Sequence, residues 1–341
     1  MSPILGIETS CDETAAAVVT GGRMLSNVIS SSVEFHRRFG GVVPEIAARK
    51  QIELISPVIQ AALEQAGLGL GAIRGVAVTI GPGLIGSLVV GVAAAKAVAA
   101  ARQIPFVGVN HLEGHVFSNF LDTSSEGEFS EPALPAIALI VSGGHAHLVL
   151  VEDFGRYKIL GRTRDDAPGE AFDKAARLLE LGYPGGPALD AASEGGNPEA
   201  IAFPRAKLGR SWDFSFSGVK TALARYLDTT AAPSRPPVRD IAASFQRAVV
   251  APLVDNTIRA ALELECRTVL VCGGVAANRA LRASFAQAAQ DCDLDLRVPP
   301  LVLCTDNAAM IARAGEERLR SGLADSLDMD ACASLELSSW P

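Results

Sequence analysis

The sequence predicts an α/β fold built as two related lobes, on three observations. Short β-rich runs alternate along the chain with Ala-rich stretches of helical periodicity, which is typical of α/β proteins. A strand, a small polar turn and a second strand occur in ILGIETSCDETAAAVV and again about 130 residues later in AIALIVSGGHAHLVLV. The length of 341 residues accommodates two domains of ordinary size.

The individual elements follow from composition and from the turn signals between them. Strands are predicted at PILGIET, AAAVVT, GVAVTI, PFVGV, AIALIVS, HLVLVE, TVLVCGG and LRVPPL. Helices are predicted at GVVPEIAARKQIELISPVIQAALEQAG, EAFDKAARLLELG, RDIAASFQRAVVAPLVDNTIRAALELE and NAAMIARAGEERLRSG. Residues 121–132 and 229–238 are rich in Ser, Pro and small residues, which predicts loops.

The most apolar stretch, residues 84–101, predicts a buried helix rather than a membrane span. It contains Lys96 and Ser87, and half of its residues are Ala or Gly rather than large apolar ones. The N-terminus has no basic region followed by a long apolar run, so it reads as the first strand and not as a signal peptide.

Charge and cysteine usage indicate an acidic cytoplasmic protein. The net charge of −8 argues against a broad nucleic-acid-binding surface, because phosphate affinity comes mainly from Lys and Arg. The six cysteines form no CxxC pair or regular framework, which favours free thiols in a reducing compartment.

Two of the five histidines, His111 and His115, lie four residues apart in HLEGH. On a helix this spacing places both rings on one face, within reach of one metal ion. The spacing equally allows two unliganded polar residues at a helix start. The metalloprotease arrangement HExxH places its general base beside the first histidine, whereas Glu113 stands in the middle of this motif and would point away from both rings.

A third ligand is available in LCTDNAAMIA, where Asp306 precedes a helical stretch. An Asp at this position is also a candidate N-cap of the following helix. If Asp306 joins the two histidines, the set has two imidazoles, one carboxylate and open positions. Such a set suits Fe²⁺, with Zn²⁺ as the competitor.

Small polar turns offer a second kind of site. Ser142, Gly143 and Gly144 follow a strand, and backbone N–H groups in such a turn can approach a ligand closely. His145 and His147 alternate on the next strand and read as surface or core residues. The stretch VCGGVAANRALR combines a strand, two glycines and a helix start at Asn278, which suits an anion or nucleotide.

Acidic residues near glycines complete the candidates. Asp173 lies in the first turns of a predicted helix, and Gly186 and Asp190 follow in and after the rigid turn YPGGP. These residues can cap helices or grip a polar ligand such as a ribose. Asp12 and Glu13 lie in the first small polar turn, where a carboxylate can face phosphates or act as a base.

Nine motifs, in order, give the sequence a specific family resemblance over about residues 4–315. The chain resembles the tRNA N6-adenosine threonylcarbamoyltransferase family, long described as O-sialoglycoprotein endopeptidases. It departs from many bacterial members in its C-terminal LELSSWP, which lacks their basic ending. The motifs are GIETSCDET, GGVVPEIAAR, GPGLIGSLVVG, HLEGH, LIVSGGH, DDAPGEAFDKAARLLELGYPGGP, DFSFSGVK, GGVAANRALR and CTDNAAMIA.

The resemblance implies an actin-like, Hsp70-like ATPase fold with a nucleotide cleft between two lobes. We expect one lobe over residues 1–110, completed by 306–341, and the other over 111–305. The resemblance further implies a metal on His111, His115 and Asp306. It implies substrate contacts from Ile140, Val141, Ser142, Gly143, Gly144, Asp173, Gly186, Asp190 and Asn278.

The implied reaction moves a threonylcarbamoyl group from threonylcarbamoyl-AMP to N6 of the adenosine 3′ of the anticodon, in tRNAs reading codons that start with A. We assign Asp12 or Glu13 to taking the amine proton or orienting the adenosine. The implied partners are tRNA, a smaller paralogous subunit and a P-loop ATPase. An actin-like ATPase acting as a regulatory scaffold is the alternative, and a metallopeptidase is disfavoured by the position of Glu113.

Overall fold

The computed structural model describes residues 2–37, 41–124, 129–206 and 208–341. The chain forms two compact units, unit 1 of Met1–Pro132 with Pro299–Pro341 and unit 2 of Ala133–Val298. Residues 111–132 and 299–305 thus belong to unit 1, whereas the predicted boundaries assigned them to the second lobe. The reason is physical: the helix of HLEGH continues directly from a strand of unit 1 and packs against the C-terminal helix.

Unit 1 contains a five-stranded mixed sheet in the order β3-β2-β1-β4-β5. β1 pairs antiparallel with β2 and parallel with β4, and β5 continues the parallel side. The strands are β1 (Ile4–Glu8), β2 (Glu13–Thr20), β3 (Arg23–Ser31), β4 (Gly75–Gly81) and β5 (Phe106–Asn110). Four helices precede unit 2 along the chain, namely α1 (Val33–Arg37), α2 (Pro44–Gln65), α3 (Ile85–Arg102) and α4 (His111–Phe117).

Unit 2 repeats this strand scheme, in the order β10-β9-β6-β7-β8. β6 pairs antiparallel with β7 and parallel with β9, as β1 does with β2 and β4. This repetition confirms the two related lobes. The strands are β6 (Ala136–Val141), β7 (Ala146–Asp153), β8 (Arg156–Arg162), β9 (Thr268–Cys272) and β10 (Asp295–Arg297). The helices are α5 (Pro168–Leu178), α6 (Gly185–Ala192), α7 (Ser217–Thr229), α8 (Val238–Glu263) and α9 (Arg279–Asp291).

Two further helices, α10 (Leu301–Cys304) and α11 (Ala308–Arg320), return the chain to unit 1. α11 covers one face of the sheet by packing against β1, β2 and β4. The approach is close because Gly6 has no side chain, and a Cβ there would collide with the carbonyl oxygen of Ala308. The alternate residues Leu5 and Ile7 enter the core on the other face, with residues of α2 and α3.

Helix α3 is buried on one face only. Leu88, Val92 and Ala95 are buried, whereas Ile85 and Val89 are each 52% exposed. The predicted buried helix is therefore correct for the face that packs on α2 and β4. By length and composition alone, α3 is the one described helix that could cross a membrane, and a core helix of a soluble protein passes the same test.

Other differences from the predicted elements lie at sheet edges and loops. Strands β3 and β8 were not predicted because they are outer strands with mixed polar and apolar residues. The strand predicted at LRVPPL is short and covers only Asp295–Arg297. Pro299 and Pro300 have no N–H to continue the pairing of strands, and a short helix follows. In the predicted loop 121–132, residues 125–128 lie outside the described residues.

Candidate metal centre and donor-binding turn

His111, His115 and Asp306 converge within unit 1. Their potential ligand atoms all lie within 4.8 Å of one another. The Nε2 atoms of His111 and His115 are 3.5 Å and 3.3 Å from Oδ1 of Asp306. The two rings meet edge to face, with centroids 4.6 Å apart. The i, i+4 spacing on α4 thus brings both imidazoles to one carboxylate, as the sequence predicted.

Asp306 reaches the histidines because its neighbour caps the helix. The side chain of Asn307 accepts a hydrogen bond from the N–H of Met310 at 3.0 Å, which makes Asn307 the N-cap of α11. Its amide nitrogen donates to the carbonyl of Thr305 at 2.8 Å and fixes the turn. The alternative that Asp306 is the N-cap is therefore wrong, and its carboxylate faces His111 and His115.

His111 is held by a buried carboxylate that the sequence analysis missed. Nδ1 of His111 lies 3.2 Å from Oε2 of Glu8 and 3.2 Å from Oγ of Ser10. A carboxylate accepts hydrogen bonds, so Nδ1 carries the proton and Nε2 presents a lone pair to a metal. Thr79 donates its hydroxyl to the same oxygen of Glu8 at 2.5 Å. The sequence signal that could have identified Glu8 is its place as the acidic last residue of the apolar strand β1.

His115 is fully buried. Oδ1 of Asp306 lies 3.3 Å from its Nε2, and its Nδ1 has no hydrogen-bond partner among the described residues. A buried imidazole with an unsatisfied nitrogen costs free energy unless a ligand takes its lone pair. Burial also lowers the pKa of His115 and favours the neutral form that a metal requires. Burial opposes a charge on His111 too, but Asp306 and Glu8 raise its pKa to about 9, so a metal ion bound at Nε2 would have to displace a proton. These residues fit a divalent metal ion.

Glu113, in the middle of HLEGH, is occupied elsewhere. Its Oε1 accepts a hydrogen bond from Nε1 of Trp340 at 2.6 Å, and the side chain is buried. It is bound to the C-terminal segment and is not available as the general base of a peptidase. The geometry thus agrees with the argument from spacing against a metallopeptidase.

The turn before β2 adds carboxylates near the histidines and Asp306. Asp12 is buried, and Glu13 accepts a weak hydrogen bond from Ser31 at 3.3 Å. Burial raises the pKa of Glu13 well above its usual range, and the charges of Asp306 and Asp12 raise it further. Burial likewise raises the pKa of the Cys11 thiol, so this cysteine is a poor nucleophile. Glu13 therefore holds a proton more readily than an exposed glutamate does.

In unit 2, residues 140–144 form the end of β6 and a turn. Ile140 and Val141 are buried in the sheet, so only their backbone can meet a ligand. The turn closes with a hydrogen bond from the N–H of Ser142 to the carbonyl of His145 at 2.9 Å. The start of α5 packs on it, because the N–H of Glu170 donates to the carbonyl of Gly143 at 3.1 Å. Gly143 and Gly144 remain exposed.

The remaining predicted contacts form two groups, one where Asp173 of α5 meets the start of α6 and one where Asp190 of α6 meets the start of α9. Oδ1 of Asp173 accepts a hydrogen bond from the N–H of Gly185 at 2.7 Å. Burial raises the pKa of Asp173, although the N–H groups of Gly185 and Gly186 partly offset it. Asp190 accepts a hydrogen bond from Asn278 at 3.2 Å, and Asn278 also caps α9.

The four predicted residues Asp173, Gly186, Asp190 and Asn278 therefore all make hydrogen bonds within the protein. Arg279 holds Asp190 through a further hydrogen bond of 2.8 Å. The exposed turn of Gly143 and Gly144 is the place where backbone N–H groups could meet an anionic ligand, because the N–H groups of Gly185 and Gly186 at the start of α6 are bound to Asp173.

Comparisons with solved structures show the fold. HypF from T. kodakarensis is 12% identical and superposes with a TM-score of 0.63, over 94% of this chain and 48% of that chain. The activator of 2-hydroxyisocaproyl-CoA dehydratase from Clostridium difficile, solved with bound ADPNP, is 15% identical with a TM-score of 0.51. It is matched over 95% of this chain and 99% of its own. The chain has the two-lobed, actin-like ATPase fold that the resemblance implied.

Comparisons of sequence show the family. The family model described as tRNA N6-adenosine threonylcarbamoyltransferase matches residues 23–313. A protein of that name from Thermomicrobium roseum is 52% identical, over 98% of this chain and 96% of the relative. Another, from Dehalococcoides mccartyi strain CBDB1, is 53% identical over 98% of this chain and 99% of the relative. This chain belongs to the tRNA N6-adenosine threonylcarbamoyltransferase family.

Proposed function

We propose that this chain transfers the threonylcarbamoyl group of threonylcarbamoyl-AMP to N6 of the adenosine 3′ of the anticodon, in tRNAs that read codons starting with A. The convergence of His111, His115 and Asp306 in a chain of this family carries the proposal. The N6 nitrogen forms a bond to the carbamoyl carbon. The bond from that carbon to the phosphate oxygen breaks, AMP leaves with the electron pair, and the amine proton passes to a base.

The donor set suits Fe²⁺, with Zn²⁺ as the competitor, because two imidazoles and one carboxylate leave coordination positions open. A divalent metal bound there supplies a Lewis acid and a template for the oxygens of the donor. Glu8 keeps the ring of His111 in one orientation, and Asn307 does the same for the turn that carries Asp306. The support for a metal is the convergence of the three side chains within 4.8 Å, with the ring of His115 fully buried.

We assign proton uptake to the turn before β2. Glu13 has a pKa well above its usual range because of its burial and the neighbouring carboxylates of Asp306 and Asp12. A raised pKa makes a carboxylate a stronger base for the proton that leaves the N6 amine. Asp12 is the second candidate for this base. If Glu13 is the base, Asp12 would orient the adenosine. In unit 2, the turn 140–144 with Asp173, Gly186, Asp190 and Asn278 would bind the donor.

tRNA, a smaller paralogous subunit and a P-loop ATPase are proposed as partners in the cytoplasm. The net charge of −8 supports the need for partners, since this chain alone offers little positive charge to a tRNA. An assay of this function therefore has to include the partner subunits.

The test is a transfer assay with threonylcarbamoyl-AMP, a tRNA that reads codons starting with A, and the partner subunits. The wild-type chain is expected to form modified adenosine and to release AMP only when tRNA is present. His111→Ala should lose the metal and at least about 100-fold in rate, the scale of a lost electrostatic contact to the transition state. Glu13→Gln and Asp12→Asn should lower the rate while donor binding is kept.

Three results would each contradict part of this proposal. Nucleotide turnover without tRNA, and no modification with verified donor, would favour an ATPase scaffold. Full activity in a metal-free His111→Ala variant would remove the metal from the mechanism but leave the transferase. Normal rates in both Glu13→Gln and Asp12→Asn would remove the assigned base.

A further inference from the structure

The segment from Asp325 to Trp340, which we name the C-terminal strap, lies against the end of the unit 1 sheet. The N–H of Asp325 donates to the carbonyl of Phe106 at 2.8 Å, and Oδ2 of Asp325 accepts from the N–H of Gly108 at 2.8 Å. Further along, the N–H of Cys332 donates to the carbonyl of Ile80 at 2.7 Å. The strap therefore covers β5, the outer strand of the sheet.

Two glycines let the strap lie this close. A Cβ on Gly81 would collide with the carbonyl oxygen of Cys332, and one on Gly108 would collide with the sulfur of Met329. Met329 and Leu335 also pack against the hydrophobic core of unit 1. The strap is thus a packed part of the unit and not a free tail.

The strap ends on the helix that carries the two histidines, and it holds that helix at two points. Nδ2 of Asn110 donates to the carbonyl of Glu336 at 3.1 Å, while Oδ1 of Asn110 caps α4 by accepting from the N–H of Leu112 at 2.9 Å. Nε1 of Trp340 donates to Glu113 at 2.6 Å. One contact lies immediately before His111, and the other lies between His111 and His115 in the sequence.

Helix α4 has seven residues, too few to be stable by itself. Its orientation therefore depends on what it touches. Arg318 stabilises the contact at Trp340, because its guanidinium lies 5.8 Å from the ring centroid while donating to the carbonyl of Gly108 at 2.8 Å. Metal ligands need placement to within about 0.5 Å, which makes such supporting contacts important for affinity.

We propose that the C-terminal strap positions helix α4 for metal binding, with Trp340 as the positioning residue that acts through Glu113. This inference rests on the metal centre under Proposed function and assigns a task to a segment outside the motifs of the family. The strap sets the separation and orientation of His111 and His115 without touching the metal.

The test compares Co²⁺ binding by the full-length wild type and Trp340→Phe, followed by the visible absorption of the bound ion. Phe keeps an aromatic ring over Arg318 and loses the N–H donor. Trp340→Phe is expected to weaken Co²⁺ binding about tenfold, as outer-shell substitutions at metal sites do, and to change the intensity of the absorption bands. Trp212→Phe, the same exchange in unit 2, is the control and should bind as wild type does.

A double variant separates positioning from general destabilisation. If Trp340 acts through Glu113, Trp340→Phe combined with Glu113→Ala should bind Co²⁺ no more weakly than Glu113→Ala alone. Additive losses, or an affinity and spectrum of Trp340→Phe equal to those of wild type, would overturn the inference while leaving the metal centre intact. A correctly folded wild type that binds no Co²⁺ would instead overturn the metal centre, and the inference with it.

Discussion

At the scale of single residues, the proposed metal centre depends on side chains that are far apart in the sequence. His111 and His115 were predictable because one helix fixes their spacing. Asp306 could be predicted as a metal ligand only together with the other family motifs, because an Asp before a helix is also a common N-cap. Glu8 and Trp340 were missed because their roles are contacts across more than 100 residues, which no local pattern records.

Glu8 should control metal affinity without binding the metal. Glu8→Gln removes the charge that fixes the proton on Nδ1 of His111, so Co²⁺ affinity is expected to fall about tenfold or more. The measurement is a Co²⁺ titration, with circular dichroism to verify folding. Glu45→Gln on the exposed side of α2 is the control. An unchanged affinity in Glu8→Gln would show that the orientation of His111 is set by other contacts.

At the scale of elements, the structure gives a physical reason for Asp165 and for the motif DFSFSGVK, which sequence reasoning left without a role. Asp165, in DDAPGEAFDK, accepts hydrogen bonds from the backbone N–H groups of Phe216 at 2.8 Å and Ser217 at 3.2 Å, both in DFSFSGVK. It also accepts from the hydroxyl of Ser217 at 2.8 Å. A side chain about 50 residues away thus caps α7, which no local helix-start signal could predict.

This cap gives stability that depends on pH. Burial opposes the charge of Asp165, but hydrogen bonds from Ser215, Phe216 and Ser217 outweigh it and lower its pKa. The stability is therefore present above the usual Asp pKa of about 3.9 and is lost as pH falls through the lowered value. Asp165→Asn should cost roughly 1 kcal/mol of unfolding free energy at pH 7, the difference between a hydrogen bond to a charged acceptor and one to a neutral acceptor.

Urea unfolding at pH 7 and in acid measures this effect. The difference between wild type and Asp165→Asn should shrink as the pH falls toward about 3, because the wild-type carboxyl then approaches neutrality too. Asp228 is exposed on α7, and Asp228→Asn should have the same unfolding free energy as wild type at both pH values. A difference that stays constant with pH would assign the effect to packing and not to the charge.

At the scale of the whole molecule, the duplicated strand order was predictable and the boundaries were not. The repeated strand–turn–strand pattern predicts two similar sheets, because β-rich runs and turn residues can be recognised in the local sequence. Whether α4 belongs to the first or the second unit depends on its packing against α11, which lies nearly 200 residues later. Outer strands such as β3 were missed because half-exposed residues carry little periodicity.

Because all three proposed metal ligands belong to unit 1, metal binding should protect that unit selectively. A ligand that binds only the folded form stabilises it by about 2.7 kcal/mol at 100 times its dissociation constant. Hydrogen exchange with and without Co²⁺ should therefore slow in residues 1–132 and 299–341 more than in 133–298. His115→Ala should abolish the difference. Equal slowing in 133–298 would place the bound ion elsewhere.

Gly6 and the return of α11 to β1 have a consequence for biosynthesis. The face of β1 that Gly6 opens stays uncovered until residues 308–320 have been made, about 300 residues later. At translation rates of roughly 5–20 residues per second this interval is about 15–60 s. A nascent chain that stops early carries both histidines but neither Asp306 nor α11, so the ribosome has to finish the polypeptide before the centre can exist.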